Sequence, residues 1–324
     1  MFRLLVCAVC MLLARSTIGQ ETVAKQTPGA VSVFSKGTEV LRYNIQAPEP
    51  PADVDPIYAR SGFLHPVRTP SGVAVTEAYP LDHPHQQGIF SAWVKTTFEG
   101  RSVDFWNLAK GSGLVLHDRV VHLFQSDDRA GFEVELIHRS LKPTPVDVLR
   151  EKWRVTVHDA SNDFHCFDLH LVQTALTEKP LTINRYHYGG FAIRGPTAWL
   201  TASDRYAKDH ADRTGSPSGF VNDLGSKRIE GNHQHSKWVA MWGQVDGKPV
   251  SIAVLSHPKN FRAPQPARLH PSKPYFCFAP CVEEAFLIDR EHPYAAKYRF
   301  LVTDAMPDPP WISEQWSKWV STSE

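Results

Sequence analysis

Short alternations of apolar and polar residues recur along the chain and predict β-strands. In residues 132–136, 153–157 and 167–171 every second residue is apolar, the period of a strand with one buried face. Residues 250–255 and 298–302 are more continuously apolar and indicate central strands. Because Gly, Pro, Asn and Asp separate many such short runs, we expect an all-β fold, either a sandwich or a barrel.

A helical period follows near the C-terminus. Ile312, Trp316, Trp319 and Val320 have i, i+4, i+7, i+8 spacing, which places them in one apolar stripe. A Pro-Pro pair precedes the stripe, where proline suits the first turn of a helix. We expect a short C-terminal helix packed on the edge of the sheet structure.

The N-terminus has the layout of a secretory signal peptide. Arg3 is followed by an apolar run over residues 4–13 and then by small residues that end at Gly19. The run has about ten residues, about half of what a membrane-spanning helix needs. We therefore predict a signal peptide over residues 1–19, one domain over residues 20–324, and a secreted or periplasmic protein without a membrane span.

Charge and cysteine content narrow the possible partners. The chain holds 35 Lys plus Arg against 34 Asp plus Glu, a balance that gives no reason to expect a nucleic-acid partner. Beyond residue 19 the cysteines are Cys166, Cys277 and Cys281, and three is an odd number for a disulfide framework. We expect buried, inert thiols, while a single disulfide stays possible from the sequence.

The densest polar cluster is Asp-His-Pro-His-Gln-Gln-Gly at residues 82–88. Pro84 biases His83 towards extended backbone, in which His83 and His85 would share one face. Such a pair can bind a metal, donate to hydroxyl groups, or act as acid and base near neutral pH. Asp82 would point away from His83 in a strand, or would orient an imidazole. A polar turn without function is the alternative.

Two further clusters contain arginine and histidine. In residues 184–191, Arg185 and His187 would share one strand face and two tyrosines the other, and arginine can bind hydroxyl pairs or a carboxylate. A loop that contains His257, Asn260 and Arg262 follows the strand at residues 250–255, at a strand end where binding residues concentrate. Structural ion pairs are the alternative for these arginines.

Several motifs connect the chain to a known family. Residues 65–68, 76–88 and 103–106 resemble a bacterial family of exported proteins of unknown function that is often labelled methane oxygenase PmoA-like. The resemblance continues through residues 189–194, 257–260 and 276–278. Family members usually have His-Arg where this chain has Gln86 and Gln87.

A second resemblance is to aldose 1-epimerases, and it implies a large antiparallel β-sandwich of the galactose mutarotase-like supersandwich type. His83 and His187 match the two histidine motifs of that family, and Phe-Cys at residues 276–277 is similar to the segment before its glutamate base. That glutamate falls on Ala279, which cannot accept a proton. Glu283 or Glu284, in the following loop, would have to replace it.

These features predict a secreted carbohydrate-active protein that hydrolyses, eliminates or epimerises a sugar or glycoside. The catalytic candidates are His83, His85, His187, Glu283 and Glu284. The candidates for binding a small-molecule or oligosaccharide ligand are Arg68, Asp82, Gln87, Arg185, His257, Asn260 and Arg262. The sequence identifies no cofactor or metal.

Two alternatives come from other classes. A non-catalytic sugar-binding module predicts exposed aromatic platforms and no acid–base pair. A metal-dependent oxidoreductase predicts that His83, His85 and a third imidazole converge on one point. The resemblance to aldose 1-epimerases instead implies that His83 and His187 lie in one cleft, although about a hundred residues separate them.

Overall fold

The computed structural model describes residues 22–159 and 161–322, so the predicted signal peptide lies outside the described residues. Over the described ranges the chain forms twenty strands and two α-helices. The strands are β1 Val23–Gln26, β2 Ala30–Ser35, β3 Thr38–Asn44, β4 Leu64–Val67, β5 Ile89–Ala92, β6 Thr96–Phe98, β7 Arg101–Val103, β8 Gly113–Ser126, β9 Arg129–Ser140, β10 Val146–His158, β11 Phe164–Ala175, β12 Leu181–Ile183, β13 Gly190–Arg194, β14 Ser218–Asn222, β15 Trp238–Val245, β16 Lys248–Ser256, β17 Ala267–Leu269, β18 Tyr275–Phe278, β19 Phe286–Ile288 and β20 Tyr294–Thr303. The helices are α1 Arg205–Asp209 and α2 Pro309–Ser321.

The strands form three antiparallel sheets. Sheet 1 has the order β1-β2-β3-β4-β5-β13-β18-β17, and sheet 2 has the order β14-β15-β16-β20-β11-β10-β9-β8. Sheet 3 is small and has the order β19-β12-β6-β7. The predicted all-β sandwich with a short C-terminal helix is confirmed.

The core lies between sheets 1 and 2. Phe191 of β13 stacks on Tyr298 of β20 with ring centroids 4.3 Å apart, so these strands face each other across the sandwich. The period-two segments predicted from the sequence lie within β9, β10 and β11. In β10, Trp153 and Val155 are buried, whereas Arg154 between them is exposed. Burial of alternate side chains is what the sequence pattern required.

Helix α2 packs on the outer face of sheet 2, and the expectation that it lies at a sheet edge is wrong. Ile312 and Trp319 are buried against Trp238, Leu255 and Leu301. These strand side chains are apolar and point away from the main core. Packing of α2 against them removes this apolar surface from water. Among the described residues, no helix is long and apolar enough to cross a membrane.

The register of sheet 1 defines a row of side chains that points away from sheet 2. Ala192 pairs directly with Phe90 and with Cys277, and Cys277 pairs with Arg268. Directly paired residues share a face, and neighbouring residues of a strand alternate. Since Phe191 faces sheet 2, this row faces the opposite side, where loops cover it.

The three described cysteines are free and buried, as expected. Burial raises the pKa of each of the thiols of Cys166, Cys277 and Cys281 to about 12. Because the thiolate is the reactive form, we expect these thiols to be inert at neutral pH.

Candidate functional site

The segment that carries the histidine pair is a double turn. The His83 N–H donates to the Pro80 carbonyl at 3.1 Å, and the Gln86 N–H donates to the His83 carbonyl at 2.8 Å. The expectation of an extended backbone is therefore wrong, because two short-range hydrogen bonds fold the chain around Pro84. The expectation that the side chains of His83 and His85 lie together holds, since their ring centroids are 5.4 Å apart.

A buried ion network anchors this turn. Arg194 binds both carboxylate oxygens of Asp82, one of them through Nη1 at 3.1 Å, and also donates to Gln86 Oε1 at 3.2 Å. Lys273 Nζ lies 3.1 Å from Asp82 and 2.9 Å from Asp204. Burial alone would raise the pKa of Asp82, but Arg194, His83 and Lys273 outweigh it and hold that pKa well below its usual range. The carboxylate is therefore ionised.

Asp82 also orients His83. Its Oδ2 lies 2.8 Å from His83 Nδ1. Because an ionised carboxylate can only accept, Nδ1 carries the proton of this bond. The Nε2 atom is then left for a ligand, and the side chain is 29% exposed. This arrangement bears out the expectation that Asp82 orients an imidazole.

Two further histidines near this pair are neutral. Burial lowers the pKa of His85 to about 3, with contributions from His83 and Arg60. Burial also lowers the pKa of His270 to about 3, with contributions from Arg268, Lys273 and His83 among other groups. Near neutral pH these two rings can exchange hydrogen bonds with a ligand, but they cannot supply a positive charge.

A line of aromatic rings runs from His270 towards His187. His270 contacts Tyr275 at a centroid distance of 5.4 Å, and Tyr275 lies 6.5 Å from Tyr188. Tyr188 in turn contacts Trp106 at 5.2 Å and His187 at 4.7 Å. The line connects His270 with His187, whereas the ring contacts of His83 are with His85 and Tyr206, so a cleft shared by His83 and His187 stays a prediction.

The expected strand faces around His187 are wrong. Residues 184–189 are irregular, and the rings of Tyr186, His187 and Tyr188 contact one another instead of alternating. The cause lies in the next two residues. Gly190 has φ +94°, and a Cβ there would lie 3.1 Å from the ring of Trp93, so the chain turns where a regular strand would continue.

Three predicted binding residues have structural partners. Arg68 interacts with Glu39 at 3.4 Å and donates to the Gly72 carbonyl. His257 packs against Trp319 of α2, and Asn260 exchanges hydrogen bonds with the backbone of residue 297 in β20. These contacts hold turns and the loop after β16 in place. The prediction that this loop follows a strand is confirmed.

Two other predicted arginines hold the loop at residues 280–285. Arg262 donates to the carbonyls of Pro280 and Glu284, and Arg185 donates to the Val282 carbonyl at 3.2 Å. All three of these hydrogen bonds are accepted by backbone carbonyls, so they stabilise the loop that follows β18.

The predicted replacement bases are on the surface of that same loop. Glu283 binds His235 at 2.8 Å, and Glu284, with 79% of its side chain exposed, lies 3.5 Å from Arg262. The charged partners of these two glutamates are therefore His235 and Arg262, and not His83 or His85. Ala279, on which the resemblance to aldose 1-epimerases places the glutamate base, is fully buried.

Arg60 is a buried residue that the sequence did not single out. Its side chain is only 4% exposed, and its guanidinium carbon lies 5.0 Å from the centroid of the Phe90 ring. Its three nitrogens have no hydrogen-bond partner in the protein. A single arginine in a loop carries no pattern in sequence, so its burial is visible only in the folded chain.

Two other buried polar atoms nearby have no partner. Gln87 donates from Nε2 to the Tyr58 carbonyl at 2.8 Å, but its Oε1 is unpaired. Trp106 is fully buried, and its Nε1 is also unpaired. Buried polar groups are nearly always satisfied, so these two unpaired atoms are exceptional.

Among the side chains that the structure describes, no group of three or more His, Cys, Asp or Glu residues is arranged to hold a metal ion. The three converging imidazoles that the oxidoreductase alternative predicts are therefore not found among the described side chains.

The fold and this turn define an antiparallel β-sandwich protein with a histidine pair on an anchored loop. The chain belongs to a family of unknown function, DUF6807, whose model matches residues 30–317. No curated protein matches the chain.

One solved structure similar to the chain is described as "Putative kojibiose phosphorylase from human microbiome". The identity is 4% and the TM-score 0.35, with 94% of this chain and 33% of that chain covered. The chain thus spans about a third of that protein.

Proposed function

We propose that this protein is a secreted carbohydrate-active enzyme whose acid–base group is His83, oriented by Asp82. The observation that carries the proposal is the buried bidentate pair of Asp82 with Arg194, which fixes the carboxylate that orients His83. Such an anchored imidazole is prepared for proton transfer, because its tautomer and direction are set before a substrate arrives.

The surroundings of His83 match what a sugar needs. Sugars present many hydroxyl groups and apolar ring faces, and their sites combine hydrogen-bonding side chains with aromatic rings. His85 and His270 are neutral hydrogen-bonding groups, and the aromatic ring of Tyr206 lies 6.3 Å from that of His83.

In the proposed reaction, His83 Nε2 accepts a proton from the substrate while Asp82 stabilises the resulting imidazolium. The ionised state of Asp82 favours this step, because a negative charge at 2.8 Å supports a positive ring. Hydrolysis, elimination and epimerisation each need such a proton acceptor. His187, at the other end of the line of rings, would contact the more distant part of the ligand.

A non-catalytic sugar-binding module is the second candidate. It is favoured by the exposed positions of Glu283 and Glu284, whose partners are His235 and Arg262. Under this alternative the cleft binds sugar, and no bond changes.

The experiment compares wild type with His83→Gln and with His122→Gln, a matched change at an exposed histidine on β8. A panel of mono- and oligosaccharides and aryl glycosides is screened for binding and for turnover. Enzyme function predicts turnover that falls by about a hundredfold or more in His83→Gln and is unchanged in His122→Gln. Binding without turnover in the wild type would support the binding module, and no binding of any sugar would contradict both.

A further inference from the structure

The candidate site contains a positive charge that the proposed reaction does not use. Arg60 precedes β4, is almost fully buried, and has a pKa that burial lowers to about 10, so it is still protonated at neutral pH. None of its three nitrogens has a hydrogen-bond partner in the protein. A buried guanidinium is costly unless it is paired, so the fold maintains this group at an energetic cost.

The acid whose charge acts most on the pKa of Arg60 does not pair with it. Glu151 influences the pKa of Arg60 through its charge, but its two oxygens bind His138 at 2.6 Å and Trp153 at 2.7 Å. Glu151 thus moderates the charge of Arg60 without satisfying its N–H groups. The five donors of the guanidinium have no acceptor within the protein.

Arg60 lies beside the histidine cleft. Its guanidinium is over the Phe90 ring, and Phe90 contacts Trp106 at a centroid distance of 4.7 Å. The charge of Arg60 also contributes to the low pKa of His85. The unpaired Trp106 Nε1 is a second buried donor in this region. Two unpaired donors, one of them charged, favour a ligand group that only accepts hydrogen bonds and is negative.

We propose that the sugar recognised by this protein is acidic, and that its carboxylate binds Arg60 with Trp106 Nε1 as a further donor. This inference rests on the proposed carbohydrate function. A uronic or aldonic acid has the required chemistry, because the two oxygens of a planar carboxylate match the fork of a guanidinium. Sulfate and phosphate esters share the charge but not the planar shape.

The test measures affinity for matched pairs of ligands on the whole protein. D-glucuronate is compared with D-glucose and with D-glucuronamide, and D-galacturonate with D-galactose, at equal ionic strength. Sodium acetate controls for the free carboxylate, and glucose 6-sulfate for a different anionic group. We expect each uronate to bind about tenfold or more tightly than its neutral partner.

The variants are Arg60→Met and, as a matched control, Arg154→Met on the exposed face of β10. Arg60→Met should remove the preference for the acid, and Arg154→Met should keep it. If Arg60→Met fails to fold, the wild-type comparison of glucuronate with glucuronamide decides alone. Equal affinity for acid and neutral sugars would overturn this inference and leave the carbohydrate function standing. Tighter binding of the sulfate would overturn the carboxylate assignment, and no binding of any sugar would overturn both proposals.

Discussion

Asp82 and Arg194 are 112 positions apart in the chain and form a fully buried bidentate ion pair. The pair joins the histidine turn to β13, which lies between β5 and β18 in sheet 1. Neither residue needs to touch a ligand to matter, because the carboxylate that Arg194 holds is the one that orients His83.

Asp82→Asn should destabilise the protein strongly. The substitution leaves the buried guanidinium of Arg194 without its counter-charge, and breaking one side of a buried pair costs about 3–5 kcal/mol. Denaturant unfolding, followed by fluorescence, would measure the change in the free energy of unfolding.

Glu283→Gln is the matched control for that change. It removes an equal charge from an exposed pair with His235, and such pairs contribute about 0–1 kcal/mol. Equal losses in the two variants would mean that the Asp82 network does not anchor the fold.

Much of the fold could be predicted from the sequence, because burial of one face of a strand requires apolar and polar residues to alternate along it. Trp153, Arg154 and Val155 already show the alternation of β10. The position of α2 was predicted from its apolar stripe, but its packing surface was not, since that depends on side chains of β15, β16 and β20.

The site was predictable only in part, because only some of its residues form a local cluster in the sequence. His83 and His85 stand out as a dense local cluster, whereas Arg60 and Arg194 become significant only through distant contacts. The double turn around Pro84 was missed because proline restricts the preceding residue without determining the hydrogen bonds that fold the segment. Glu283 and Glu284 were chosen for proximity in sequence, and the loop directs them to His235 and Arg262.

The protein should lose stability as the pH falls from about 6.5 towards 3. His85 has a pKa of about 3 in the folded chain against 6.5 as its ordinary value, so the unfolded chain binds a proton that the native chain does not. One such histidine gives a slope of about 1.4 kcal/mol per pH unit, with stability rising as the pH rises.

His85→Gln tests this dependence. The slope of the unfolding free energy against pH should decrease by about 1.4 kcal/mol per pH unit between pH 5 and pH 6. This interval lies above the pH range in which Asp82 changes its protonation. His122→Gln, at an exposed position on β8, is the control. An unchanged slope in His85→Gln would show that this ring is not buried as a neutral group.

The cysteines should resist labelling in the native protein. Burial raises the pKa of the thiols of Cys166, Cys277 and Cys281 to about 12, so little thiolate forms at pH 8. Titration with a thiol reagent should show little reaction before denaturation and reaction of all three afterwards. Rapid labelling of all three in native protein would contradict their burial.

Export remains a prediction from the N-terminal sequence. When the full chain is produced in a Gram-negative host, we expect the mature protein in the periplasm with Gln20 as its first residue. N-terminal sequencing or intact mass determines the processing site. A cytoplasmic chain that keeps its apolar N-terminus would refute the predicted signal peptide.

The most direct test of the central claim is NMR of the histidine rings during titration with a sugar that binds. Assignments come from His83→Gln, His85→Gln and His122→Gln. If the anchored turn forms the binding site, the ring resonances of His83 and His85 shift together and saturate at the same sugar concentration, while His122 does not move. Saturable binding of the sugar that leaves the resonances of His83 and His85 unchanged would contradict the assignment of this cleft.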